Sequence, residues 1–298
     1  MKRLLPLLLL ALMLATLTRG VVAQDATPTA GGSLLAALDY PVIEYTTDGT
    51  KLTGPTELEA GRYLLKVVST SPIEDWELTF YSPAEGMTGD ELLSELSAVD
   101  TTADEAPALF YQIGHGGGVN SPATEAIVQL NEGEWVAAAM FFGETEGSVA
   151  AEKVTVSGAL PDYPAIDGAV EVTLADLSID MPDTVAAGPQ IWQVTNTGAM
   201  PHFVFVMNPG GELTNEDAVN GVKLFYGMTD ATPAAEGSAQ DPMSWQDVAG
   251  SPNITNGVTT FFKIDLEPGT YIAFCFIEGP GELGSHALHG MTKVFTVE

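Results

Sequence analysis

The chain has 298 residues, and its 40 Asp and Glu against 10 Lys and Arg give a formal net charge of −30. Such a surface repels nucleic acid and anionic lipid, which are bound through Lys and Arg, and would steer a cationic partner instead. A single Cys excludes an intramolecular disulfide, so the thiol needs its own explanation: a packed small hydrophobe, a metal ligand or an intermolecular link.

Residues 1–23 open on Lys2 and Arg3, continue in the apolar run "LLPLLLLALMLATL" and end on the small residues "VVA". This pattern reads as a signal peptide, which places the mature chain outside the cytoplasm (secreted, periplasmic or at the cell surface) with no transmembrane segment. Residues 24–34, rich in Ala, Thr and Gly, read as a linker, and a second linker at 159–169 carries the breaks of "PDYPAIDG". Between and beyond them lie two segments, 35–158 and 170–298, each of ordinary domain size.

Both segments follow one plan. Glycine starts a strand in "GRYLLKVVS" and in "GPQIWQVTN", a second Gly leads "GEWVAAAMFF" and "GTYIAFCFI", and each segment closes on a strand containing Lys-Val. Short runs rich in β-branched and aromatic residues, bounded by Gly, Pro or Asn, predict an all-β protein of two tandem β-sandwiches. One short helix is expected in each, "TGDELLSELSAV" from Thr88 and "TNEDAVNGVKLFY" from Thr214, because a Thr cap precedes acidic residues in the first turn. From Gly227 to Pro252 the composition predicts a long loop, and the Gly-rich stretch around His115 a solvated one.

Period-two alternation in "TYIAFCFI" puts Tyr271, Ala273 and Cys275 on one face and Ile272, Phe274 and Phe276 on the other. A cysteine at the end of such a strand meets the next loop, which carries His286, His289 and Met291, while "NTGAMPHFVF" offers His202 at a turn-to-strand junction. Thiolate, two imidazoles and a weak thioether are the donor set of a trigonal copper site built for electron transfer. His286 and His289 both remain open as the loop imidazole.

In "N-x-G-x-x-P-H" (196–202), "P-G-x-Y-x-x-x-C" (268–275) and "H-x-x-x-G-M" (286–291), the second segment resembles the cupredoxin, or type 1 blue copper, family. The resemblance implies a Greek-key sandwich holding one type 1 copper at one end. Carried over residue by residue, the ligands are His202, Cys275, His286 and Met291, with His289 as the alternative. The chain departs from that family in the ten residues between Cys275 and His286 and in Phe203, where the family often has Asn. Closing the longer loop adds roughly 1 kcal/mol of entropy, small beside the ~10 kcal/mol scale of a metal site.

The first segment has none of these donors. Aligned on its glycines, prolines and lysines, it puts Asp75 or Trp76 at the position of His202, Ala139 at that of Cys275 and Ala151 at that of Met291, which implies a metal-free cupredoxin-like copy. With Phe on both sides of Cys275 and four histidines in all, a second copper centre of the kind found in two-domain copper enzymes is not expected. The expectation is a non-enzymatic, single-copper electron carrier whose acidic surface suits a basic redox protein. The alternative is a metal-free or copper-storing binding module.

Overall fold

The protein is described here by a computed structural model covering residues 33–103, 108–121, 123–143, 147–279 and 284–298. The expected signal peptide and nearly all of the first linker lie outside the described residues. Alternating exposed and buried side chains in "VIEYTT" make β1 (Val42–Thr47) a strand with one wet face. The first half continues through β2 (Leu52–Thr53), β3 (Glu57–Glu59), β4 (Gly61–Ser69), β5 (Trp76–Ser82), helix α1 (Gly89–Ser97), β6 (Gly114–Asn120), β7 (Glu125–Leu130), β8 (Gly133–Phe141) and β9 (Ser148–Ser157). The second half holds β10 (Val170–Ala175), β11 (Ser178–Asp180), β12 (Thr184–Val185), β13 (Gly188–Asn196), β14 (Phe205–Asn208), helix α2 (Asn215–Phe225), β15 (Gln246–Gly250), β16 (Thr259–Leu266), β17 (Gly269–Phe274), β18 (Glu278–Gly279), β19 (Gly284–Ser285) and β20 (Thr292–Val297).

The all-β expectation holds. Each half has its own five-stranded sheet, β3-β9-β8-β5-β6 and β12-β20-β17-β14-β15, and both face one continuous eight-stranded sheet, β11-β10-β13-β16-β7-β4-β1-β2. Neighbours such as β13 with β16 and β14 with β17 are far apart in sequence, the crossed connections of a Greek key. The halves join where Phe261 of β16 pairs with Ile127 of β7, and the Thr260 hydroxyl donates to the Ile127 carbonyl at 3.2 Å. Each half keeps a separate core: Tyr45, Phe80, Trp135 and Phe141 pack in the first, Trp192, Val194, Tyr271 and Phe295 in the second.

Both helices begin where the caps predict. Thr88 and Thr214 each close a capping box, with Glu91 and Asp217 as the returning carboxylates. Leu92 and Leu96 of α1 bury against Tyr81, Val136 and Met140, so this helix covers the outer face of the first half's own sheet. Ala218 and Val222 of α2 bury with Trp245, Ile272, Phe274 and Phe276 in the second. Thr214→Ala removes the acceptor for the Asp217 N–H at 3.1 Å and is expected to lower stability by about 1 kcal/mol. Urea unfolding should show this as a lower midpoint at unchanged slope.

Two expectations fail. The stretch from Gly227 to Pro252 is not all loop: β15 pairs with β14 at the sheet edge, and Trp245 anchors its start by donating from Nε1 to the Ala239 carbonyl at 2.7 Å. Gly, Asp and Ser hid it because an edge strand needs little β-propensity of its own. His115 lies in β6, only 3 % exposed, with its Nε2 3.0 Å from the Phe110 carbonyl. The glycines beside it serve close approach: a Cβ at Gly118 would stand 2.1 Å from the Leu78 carbonyl oxygen.

Candidate metal centre

His202 is delivered by the turn that follows β13. Asn196, fully buried at the end of that strand, donates from Nδ2 to the carbonyls of Met200 and Ile254, both at 2.8 Å, and accepts the Gly198 N–H through Oδ1. This cage explains the Asn and Gly of the first motif. A Cβ at Gly198 would lie 2.4 Å from Asp176 Oδ1 and 3.0 Å from His202 Nε2. His202 then exchanges both backbone hydrogen bonds with Ile254, at 3.0 and 2.9 Å. On its other side the same segment is held by the first half, where Thr255 N–H donates to the His115 carbonyl at 2.9 Å and Gly116 bridges to Ile254.

Cys275 sits just beyond the end of β17. The alternation continues through it, since Tyr271, Ala273 and Cys275 join the sandwich core while Ile272, Phe274 and Phe276 face α2. The Cys275 N–H donates to the Met291 carbonyl, and the Met291 N–H to the His286 carbonyl, both at 3.1 Å. The two ends of the ten-residue interval pair with each other: the His286 N–H donates to the Ile277 carbonyl at 2.8 Å, and β18 runs antiparallel to β19 with Glu278 opposite Ser285. The extra length therefore leaves and returns at one place, and His286 stands only two residues across the ladder from Cys275. The loop is long in sequence and short at the site.

Cys275 Sγ lies 3.8 Å from His202 Nδ1 and 3.8 Å from His286 Nδ1, and the two nitrogens are 3.2 Å apart. That triangle, with a height of about 3.4 Å over its short side, has a circumradius of about 2.1 Å, within the roughly 2.0–2.3 Å at which imidazole and thiolate bind metals. The donors fit a type 1 copper ion in kind and in spacing. All three side chains are 0 % exposed, as is Met291, which packs in the same cluster as Cys275. Among the described residues this is the one group of His, Cys, Asp or Glu side chains gathered closely enough to hold a metal.

Burial sets the protonation. It pushes the Cys275 thiol up to about 12, against the opposing pull of the Phe203 and Ile277 backbone N–H groups that point at the sulfur. Burial lowers both imidazoles, His286 to about 4 with help from neighbouring His202, while Asp176 offsets part of the effect at His202. Both rings are neutral near pH 7, the state a metal ligand needs. His286 Nε2 is buried with no hydrogen-bond partner.

Sequence reasoning missed one residue at the site. Asp176, in the turn between β10 and β11, approaches His202 Nε2 at 3.2 Å. It lies 26 residues upstream, and only the parallel pairing of β10 with β13 brings it near. His289 is exposed and outside the group. In the first half, pairing register places Trp76, Ala139 and Ala150 at the positions of His202, Cys275 and Met291, all buried in the apolar core. Ala150, rather than Ala151, matches Met291 because Ala137 faces Glu152 where Ala273 faces Lys293.

No protein-family model and no curated protein sequence matches the chain. Among solved structures, auracyanin from the photosynthetic bacterium Roseiflexus castenholzii aligns at 20 % identity over 45 % of this chain and 99 % of its own, with a TM-score of 0.29. Azurin (Az-iso2) from the obligate methylotroph Methylomonas sp. strain J aligns at 16 % identity over 45 % of this chain and 99 % of its own, with a TM-score of 0.27. A multicopper oxidase aligns over 86 % of this chain and 88 % of its own at 11 % identity, with a TM-score of 0.24. At these scores the case for copper rests on the chain's own donors.

Proposed function

We propose that this chain is an exported, single-copper electron carrier of the cupredoxin type, with His202, Cys275 and His286 as equatorial ligands and Met291 as a weak axial one. The observation that carries this reading is the fully buried triangle of one sulfur and two neutral imidazole nitrogens. Bound copper would supply a one-electron couple, tuned by the thiolate and the thioether. The residues around it supply the rest. Asn196 and Ile254 fix His202, the β18–β19 pairing fixes His286 beside Cys275, and Phe203 and Ile277 offer their N–H groups to the sulfur. A site so held moves little when its charge changes, which favours electron transfer.

A carrier is favoured over a catalyst because Cys275 is flanked by Phe274 and Phe276, and because His115 is buried in the first half as a structural hydrogen-bonding residue. Residues 35–158 then act as a metal-free domain that grips the 254–255 segment behind His202. The acidic surface suits a basic redox protein. With one equivalent of Cu(II), the protein should show a reversible one-electron wave. Copper that binds but cannot be cycled without loss would overturn the carrier reading.

The same protonation states give a pH dependence. Near neutral pH the thiol is protonated and the imidazoles are not, so binding should release about one proton and apparent Cu(II) affinity should rise about tenfold per pH unit. Below about pH 4, where His286 takes up a proton of its own, the slope should steepen. Calorimetry in buffers of different ionisation enthalpy measures the proton count, and a count of zero would contradict the buried, neutral thiol.

A further inference from the structure

We propose that the Asp176–Leu177 turn is the positioning element that ties the two ligand-bearing loops together, with Asp176 orienting His202. The inference rests on the copper reading above for its purpose, and on three separate observations for its geometry.

The first is the carboxylate itself. Asp176 Oδ1 lies 3.2 Å from His202 Nε2 and accepts the Met200 N–H at 3.1 Å, while Oδ2 accepts the Ala199 N–H at 3.1 Å. One side chain thus holds both the ring and the turn that delivers it. A carboxylate is acceptor-only, so Nε2 must carry the imidazole proton and Nδ1 is left with its lone pair toward Cys275 and His286.

The second contact is on the other loop. Gly290, between His286 and Met291, approaches the Leu177 carbonyl so closely that a Cβ there would lie 2.4 Å from its oxygen. The third is strain. Leu177 adopts φ of 62°, one of two non-glycine residues at positive φ among the described residues. Branched side chains avoid this region, and such outliers persist where the surroundings demand them. Here the demand is visible, since the left-handed turn presents the Asp176 carboxylate to one loop and the Leu177 carbonyl to the other. Phe203, beside His202, has no side-chain polar group with which to make that link.

The tie should act electrostatically as well as sterically. A carboxylate on the far nitrogen makes Nδ1 a stronger donor and favours the more highly charged metal state, and losing such a partner typically costs 10–100-fold in affinity. Asp176→Asn keeps the shape and an acceptor oxygen for the turn but removes the charge. Competition against a chelator should show Cu(II) affinity roughly 10–100-fold weaker than wild type, Cu(I) affinity less changed, and a higher reduction potential. Asp176→Ala should weaken Cu(II) further and broaden its EPR signal. Wild-type values for affinity, potential and EPR in both variants would overturn the proposal.

A metal-free measurement separates this inference from the copper reading. In the full chain, 15N NMR of His202 should show one locked tautomer, protonated at Nε2, and Asp176→Ala should populate both. An unchanged tautomer would overturn the tie. A locked tautomer that Asp176→Ala releases, in a protein that takes up no copper, would support the tie and overturn the copper reading instead.

Discussion

His286→Ala should weaken Cu(II) binding by a few hundredfold and abolish the intense visible colour, while His289→Ala leaves both within about twofold. The magnitude follows from sharing roughly 10–16 kcal/mol of apparent site energy among four ligands, or about 2.5–4 kcal/mol each. The contrast follows from placement. His286 is 0 % exposed with Nδ1 at 3.8 Å from the thiol and 3.2 Å from His202, whereas His289 is exposed and stands outside the donor group. Chelator competition and absorption spectra on both variants check it. If His289→Ala bleaches the protein and His286→Ala does not, the loop ligand has been misassigned although copper binding stands.

Cys275→Ser is expected to do more. The colour of a thiolate–copper site comes from charge transfer out of sulfur, and a serine oxygen offers no comparable donor. The band should vanish, with Cu(II) affinity falling by about three orders of magnitude or more, because the soft ligand that selects copper is gone. The metal-free protein should still fold, losing about 1–2 kcal/mol for a hydroxyl buried where a thiol was. In the wild-type metal-free protein the same thiol should react slowly with thiol reagents, since it is fully buried and its pKa is pushed up to about 12.

Much of this was legible in the sequence wherever the signal is local. The two Thr caps placed both helices, and alternation placed Cys275 on the core face with Tyr271 and Ala273. Gly133 and Gly269, each starting a strand at positive φ, aligned the halves well enough to find Ala139 at the position of Cys275, and Pro83 with Pro209 gave Trp76 at that of His202 where the glycines Gly61 and Gly188 gave Asp75. What escaped was set by long-range pairing. Asp176 meets His202 only through the β10–β13 register, and one residue of register separates Ala150 from Ala151. Ten residues after Cys275 read as a slack loop because nothing in "FIEGPGELGS" announces that its ends pair. His115 read as solvated because its glycines, which admit Trp135 and the Leu78 backbone at close range, have the composition of a loop.

The pairing of β18 with β19 bears most directly on function. A chain closing freely over ten residues would leave His286 with many positions, and the imidazole would lose that freedom on binding metal. With His286 bonded to Ile277 and Met291 bonded to His286, the donors are arranged before any ion arrives. Preorganisation of this kind stabilises the bound state by removing an entropic cost and limits rearrangement between oxidation states.

The most direct test is a titration of the purified protein with Cu(II), followed by absorption, EPR and metal analysis. The expected result is one copper per chain, an intense sulfur-to-copper band that saturates at one equivalent, and a thiol no longer accessible to reagents. A colourless protein with its thiol still free after excess Cu(II) would contradict the assignment of Cys275, His202 and His286 as a copper site.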